Sequence, residues 1–282
     1  MSGQPPLFEV IRHRPSPRLA GLVSDMCGYR ETAGLPFALC EAASLVVPLI
    51  ISFGTPFRIA LGPDPAAAEP RSSFAAGLYA GPVQIASDGA AECVQVDFTP
   101  LGAYRLFGGG VVELAARMVD IDDVLGHAGH ALREHLGATR DWAGRFTLVE
   151  QFVADRLLHQ PSPEIAHAYR RLEQQAGNLR ITDLAREIGW SRKHFAHRFR
   201  AETGLGPKTI ARIMRFQRAC RLARTGAQRD WAALSGASGY ADQAHMVREF
   251  TALAGESPAA WRRRIAQAGT LQPRSADLPD PG

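Results

Sequence analysis

Apolar and polar positions in the last third of the chain follow one pattern, written twice. The first copy runs Leu184, Ala185, Gly189, Ser191, Phe195, Phe199, Gly204, Pro207, Ile210. The second runs Leu234, Ser235, Gly239, Asp242, Met246, Phe250, Gly255, Pro258, Trp261, offset by 50 residues at the first glycine and 51 at the last phenylalanine. An internal repeat of this kind means one supersecondary unit used twice. In each copy a short helix (residues 181–188, then 231–237) stops at a glycine, which takes the left-handed conformation other residues avoid. Ser191 or Asp242 then caps the next helix by accepting a backbone N–H, and Trp190 and Phe195 fall at the positions of a hydrophobic staple. Helix, glycine turn and capped second helix make a helix-turn-helix unit, whose second helix enters the DNA major groove.

The second helix of each unit divides into two faces. Phe195 and Phe199, or Met246 and Phe250, share one stripe and are expected to pack inward. Arg192, Lys193, Ala196, His197 and Arg200 fall roughly opposite in the first unit. In the second unit Gln243, Ala244, Val247 and Arg248 do so, with His245 alongside. Arginine suits guanine, glutamine suits adenine, and small or apolar side chains meet the thymine methyl. For one copy taken alone, a helix pair with a solvated basic face is an equal alternative. Two copies in register argue against it.

These residues resemble the DNA-binding domain of AraC/XylS-type transcriptional regulators. The matching motifs are Leu184-Ala185, Gly189, Ser191, Phe195, Phe199 and Thr203-Gly204, then Arg215, Ala219 and Leu222, then Gly239-Tyr240, Phe250, Gly255, Ser257-Pro258 and Trp261-Arg262. The resemblance covers roughly residues 165–265. It implies two helix-turn-helix units joined by a long helix, double-stranded DNA as partner, RNA polymerase as a further partner if the protein activates, and no cofactor. Lys193, His197, Gln243 and Arg248 match positions that reach base edges in that family. Ser235 stands where the family usually has alanine, and Trp231 is bulkier than its usual aliphatic residue. DNA-repair methyltransferases carry a similar half, but they need a four-cysteine zinc site that this chain lacks.

Upstream, the period is that of strands. Residues 45–53, 57–61, 77–85 and 92–98 read as strands, separated by turn residues such as Gly54-Thr55-Pro56 and the loop 62–70. From Leu101 the period becomes helical: 104–107, 111–118, 127–136 and, most clearly, 146–158, with Phe146, Val149, Val153 and Leu157 on one stripe. This layout, with the segment Phe98-Thr99-Pro100-Leu101-Gly102-Ala103-Tyr104, loosely resembles the sensor half of many such regulators. That resemblance implies a small-molecule effector and a homodimer formed through the helices. Gln160-Pro161-Ser162-Pro163 separates the halves. The expected fold class is α+β. A small β structure with following helices spans residues 1–160, an all-α double helix-turn-helix domain spans 161–268, and a disordered tail spans 269–282.

Charge sharpens the division. Residues 1–160 carry 12 arginines against 17 carboxylates, and residues 161–282 carry 20 basic against 11 acidic side chains. The net charge of +4 therefore conceals an acidic first half and a basic second half, the footprint of a nucleic-acid binder with a separate domain of another job. The four cysteines, Cys27, Cys40, Cys93 and Cys220, are far apart and read as reduced thiols, with no zinc or disulfide pattern. No signal peptide or membrane-length apolar run is evident, so a cytoplasmic protein is expected.

Nothing points to an enzyme. His127, His130, Glu134 and His135 lack the spacing of a zinc-protease helix and read as exposed helix residues. Asp120, Asp122 and Asp123 lack the glycine and downstream glutamate of a calcium loop and read as a helix start. Gly108-Gly109-Gly110 lacks the lysine and hydroxyl of a phosphate loop and reads as a flexible turn. Neither a catalytic residue nor a metal ligand is expected. The alternative is an N-terminal ligand-binding or catalytic domain for which DNA binding is secondary.

Overall fold

The computed structural model describes residues 8–225 and 230–267. The first half holds strands β1 (Phe8–His13), β2 (Val23–Glu31), β3 (Phe37–Glu41), β4 (Val47–Ser52), β5 (Phe57–Leu61), β6 (Glu69–Arg71), β7 (Phe74–Ala76), β8 (Val83–Ser87) and β9 (Glu92–Phe98). After them come α1 (Pro100–Phe107), α2 (Val111–Leu114), β10 (Met118–Asp120), α3 (Ile121–Leu125), α4 (His127–Ala138) and α5 (Trp142–Ala154). The second half is helical: α6 (Pro163–Gln174), α7 (Ile181–Glu187), α8 (Arg192–Thr203), α9 (Pro207–Arg224), α10 (Trp231–Ala237), α11 (Gln243–Ala254) and α12 (Pro258–Gln267). The tail expected over 269–282 lies outside the described residues.

The strands form two antiparallel sheets, β1-β2-β9-β4-β7-β10 and β3-β8-β5-β6. Alternation along each strand of the larger sheet explains its two partners. On β9, Val94, Val96 and Phe98 join the core shared with the helices, whereas Cys93 faces the smaller sheet. On β4, Leu49 and Ile51 go one way and Ile50 the other. Helices therefore cover one face of the large sheet and the small sheet covers the other. The helix-side core is continuous from Leu19 to Trp261, so both halves of the chain share it.

Several elements differ from the sequence reading. The hydrophobic pattern does not predict strand β2, because its cavity face carries Asp25 and a bulge interrupts its register between Val23 and Asp25. Of the single strand expected over 77–85 only residues 83–85 are strand, as the start of β8; β7 ends at Ala76, before the expected span, and belongs to the other sheet. The helix expected over 111–118 stops at Leu114, and Met118 begins β10. Gly108–Gly110 is not a loose turn but one turn of 3-10 helix. Helix α5 runs from Trp142 to Ala154, beginning and ending earlier than the expected 146–158. Its stripe of Phe146, Val149 and Val153 is buried in the chain's own core, which leaves that stripe no role in a dimer. Asp120 caps α3, as expected, accepting from Asp122 N–H at 3.0 Å.

One buried ion fixes α5 to the sheet. Arg145 donates to the carbonyls of Leu136 and Thr139 at 3.1 and 2.9 Å and to Glu92 at 2.6 Å. Its guanidinium also lies 4.3 Å from the Phe53 ring centre and 4.5 Å from that of Trp142. The start of the second half is anchored by Glu202, a buried carboxylate on α8. It accepts from Ser162 N–H at 2.7 Å and from Arg198 at 2.8 Å, which ties the break before α6 to the end of α8.

Candidate DNA-binding surface

The two helix-turn-helix units are built alike down to their hydrogen bonds. Gly189 and Gly239 both take left-handed backbone, with φ of +74° and +81°. Past each glycine the chain turns back, Trp190 N–H donating to Ala185 O at 2.9 Å and Tyr240 N–H to Ser235 O at 3.0 Å. Ser191 then caps α8 by accepting from His194 N–H at 3.2 Å, and Asp242 caps α11 by accepting from His245 N–H at 2.7 Å. Trp190 packs on the shared core, and its ring meets His194 edge-on at 4.6 Å, so the staple closes partly on the imidazole.

The inward faces are as expected. Phe195, Phe199, Met246 and Phe250 are fully buried. Phe195 and Phe199 stand edge to face at 5.4 Å, and Phe250 stands likewise to Phe216 of α9 at 4.9 Å and to Trp261 at 5.5 Å. Helix α9, 18 residues long, supplies the floor between the units and spans about 27 Å.

The outward faces carry the residues expected to read DNA. Arg192, Lys193, His197 and Arg200 are exposed on α8, with Ala196 half-buried between them. On α11, Gln243, Ala244 and Arg248 are exposed while His245 and Val247 are half-buried. His245 leans along its helix toward Glu249, with Nε2 3.5 Å from the carboxylate.

Between the two helices lies a surface that the repeated motif does not include. A groove of about 490 Å³ is lined by Arg180, Arg192, Lys208, Arg212, Arg215 and Glu249 among others. Apart from Arg192, its cations come from the residue before α7 and from α9, outside the helices that the motif singles out. The available signal is the run of basic residues on one side of α9, Lys208, Arg212 and Arg215.

A second site lies between the sheets. A cavity of about 80 Å³ is lined by apolar side chains such as Tyr29, Phe37 and Ile59 and, at one end, by Arg12, Asp25, Glu41 and Asp97. Asp97 is buried and accepts from Gln95 at 2.8 Å. Burial raises its pKa to about 7, and the carboxylates of Glu41 and Asp25 push the same way against Gln95 and Arg12. Burial pushes the thiols of Cys27 and Cys220 up to about 12 and that of Cys93 well above its ordinary value. Protonated thiols of this kind are poor nucleophiles.

The described residues contain no group of three or more side chains suited to a metal ion. His130 pairs with Glu134 at 3.3 Å on the exposed side of α4. No helix among the described residues is long and apolar enough to cross a membrane.

Residues 184–264 match the family model of a helix-turn-helix domain. Over 101 residues the chain is 34% identical to the MmsAB operon regulatory protein of Pseudomonas aeruginosa, which is 36% of this chain and 32% of that protein. Over 88 residues it is 31% identical to the HTH-type transcriptional regulator YbfI of Bacillus subtilis, 31% of each chain. The chain thus matches about a third of the length of these curated relatives. ToxT from Vibrio cholerae, a solved structure, aligns with 84% of this chain and 97% of its own at 11% identity and a TM-score of 0.43. The C-terminal half is a double helix-turn-helix domain of the AraC type.

Proposed function

We propose that this chain is a sequence-specific DNA-binding transcription factor whose N-terminal sandwich receives an effector. The observation that carries the reading is the duplicated unit: two capped helices with buried aromatic faces and exposed polar faces, held by one rigid helix. Each exposed face is suited to a major groove. On α8 Lys193 and His197 address bases, while Arg192 and Arg200 address phosphates or guanine and Ala196 allows close approach. On α11 Gln243 and Arg248 address bases, Ala244 and Val247 meet thymine methyls, and His245 flanks them. The N-terminal domain is residues 1–160 and the DNA-binding domain 161–268. A regulator of this kind works in the cytoplasm beside the chromosome and, if it activates, meets RNA polymerase there. A homodimer would use a surface other than the apolar stripe of α5.

Selection of bound duplexes from random DNA tests the reading. The expected result is one enriched motif for the wild-type protein. With Arg248→Ala, the preference at one or two base pairs should relax by about 1–3 kcal/mol per lost contact. No enrichment by the wild type would overturn it.

The second reading makes ligand binding primary and DNA binding secondary, and the cavity beside Asp97 favours it. A compound that raises the melting temperature while leaving the affinity for the selected duplex unchanged would support that reading instead.

A further inference from the structure

The groove between the helix-turn-helix units holds more positive charge than its own acids balance. Arg180, Arg192, Lys208, Arg212 and Arg215 line it, against the single carboxylate of Glu249. Arg180, Arg192 and Lys208 make no ion pair among the described residues. Glu249 is shared loosely, its oxygens 3.5 Å from His245 Nε2, 4.0 Å from Arg212 Nε and 3.7 Å from the Arg215 guanidinium. Those separations exceed hydrogen-bond length. Arg212 Nε, Arg215 Nε and Glu249 Oε2 are accordingly buried without a hydrogen-bond partner. A groove with five cations, one poorly engaged carboxylate and unmet donors attracts an oxyanion.

Its position indicates which oxyanion. The groove runs from Arg192, the first residue of α8, across α9 to Glu249, the neighbour of Arg248 on α11. Helices lying in successive major grooves straddle the minor groove between them, and a line of phosphates edges that minor groove. The cations line the groove between the two helices, where such a strand would pass. Guanidinium groups clasp phosphate oxygens two at a time, and an ammonium serves as a compact point charge. Arg215 is held by the backbone, donating to the carbonyl of Gly177 at 3.1 Å, which leaves Arg180, Arg192, Lys208 and Arg212 for the oxyanion.

We infer that this groove is a phosphodiester cradle: Arg180, Arg192, Lys208 and Arg212 hold the backbone of one DNA strand between the two base-reading helices. The inference rests on the DNA-binding reading above and deepens it. The cradle sets the spacing at which the second unit engages once the first is seated. It adds affinity of the same size to every sequence, because phosphates carry no base identity.

The test measures affinity of the full chain for its selected duplex across salt, with Lys208→Ala and Arg180→Ala, both at exposed positions. Each loss of one phosphate contact should lower the slope of log affinity against log salt by about 0.9. Between about 50 and 200 mM salt the affinity of each variant should then fall roughly 3.5-fold less than that of the wild type. The selected motif should stay the same, and Lys208→Arg should restore most of the slope. A duplex with uncharged methylphosphonate linkages between the two contacted major grooves should bind wild type more weakly and Lys208→Ala no more weakly still. Wild-type slopes in both alanine variants, with normal DNA binding by the wild type, would overturn the cradle alone. Failure of the wild type to bind any duplex would overturn both readings. A melting-temperature rise with millimolar inorganic phosphate, lost in Lys208→Ala and without any salt-slope change on DNA, would assign the groove to a free anion and overturn the DNA strand as its occupant.

Discussion

The backbone N–H of Ala43 donates to the carbonyl of Leu253 at 2.8 Å, which ties the turn after β3 to the last turn of α11. Cys40 reinforces the tie, its Sγ 3.8 Å from Ala254 O. Strand alternation gives β3 two jobs. Phe37, Leu39 and Glu41 line the cavity between the sheets, and Cys40 meets the end of α11. One strand is therefore a wall of the candidate effector cavity and the seat of α11, the second of the proposed DNA-reading helices.

Gly255 tests that seat. It takes φ of +76°, and a Cβ there would stand 3.0 Å from Pro82 of the sandwich. Gly189 takes a similar φ of +74° with open space around it. Alanine at either position costs about 1–2 kcal/mol of backbone strain, and only at Gly255 is crowding against Pro82 added. Gly255→Ala should therefore melt lower than Gly189→Ala in the full chain. Equal melting temperatures would mean that the end of α11 does not rest on the sandwich.

Ser235 stands inside the short helix α10, buried, and its Oγ has no hydrogen-bond partner. A buried hydroxyl left unmatched costs about 1–3 kcal/mol. Ser235→Ala should raise the melting temperature by a few degrees, at about 2–4 °C per kcal/mol for a chain near this size. Thermal unfolding monitored by circular dichroism measures it, and a lowered melting temperature would show that the hydroxyl has a partner in solution.

Asp97 should make stability depend on pH. Its pKa of about 7 in the folded chain lies above the ordinary 3.8, chiefly through burial. A raised pKa favours the protonated folded form, so this contribution is full below about pH 4 and is lost as pH rises through about 7. An Asp97→Asn substitution keeps the side chain neutral at every pH. The variant should match the wild type near pH 4 and exceed it near pH 8 by on the order of 2–4 kcal/mol. Denaturant titrations at the two pH values measure the gap. A constant gap would place Asp97 in contact with water rather than enclosed with Glu41, Asp25 and Gln95.

Much of the second half is legible from the sequence because local rules agree there. Glycines at 189 and 239, caps at 191 and 242, and aromatics spaced four apart each specify the same turn and the same inward face. Tyr240 and Trp190 close both turns through backbone bonds that the repeat alone implies. The first half is less legible, since strand partners are set by contacts far apart in sequence. Asp25, Gln95 and Asp97 look like solvent-facing residues of their strands, yet they border the cavity between the sheets. The cradle escapes the sequence for a related reason. Arg180, Lys208 and Glu249 lie on three separate elements, and only packing around α9 brings them together.

The central claim is that one chain presents two DNA-reading helices to one face of the duplex. Hydroxyl-radical footprinting of the full chain on its selected site tests this most directly. Two protected patches should appear, centred about 10–10.5 base pairs apart, one helical turn. Protection of the phosphates between them should be present with the wild type and weakened with Lys208→Ala. A single patch confined to one major groove would contradict the claim, because it would leave one of the two units, with its cap, turn and outward face, unengaged with DNA.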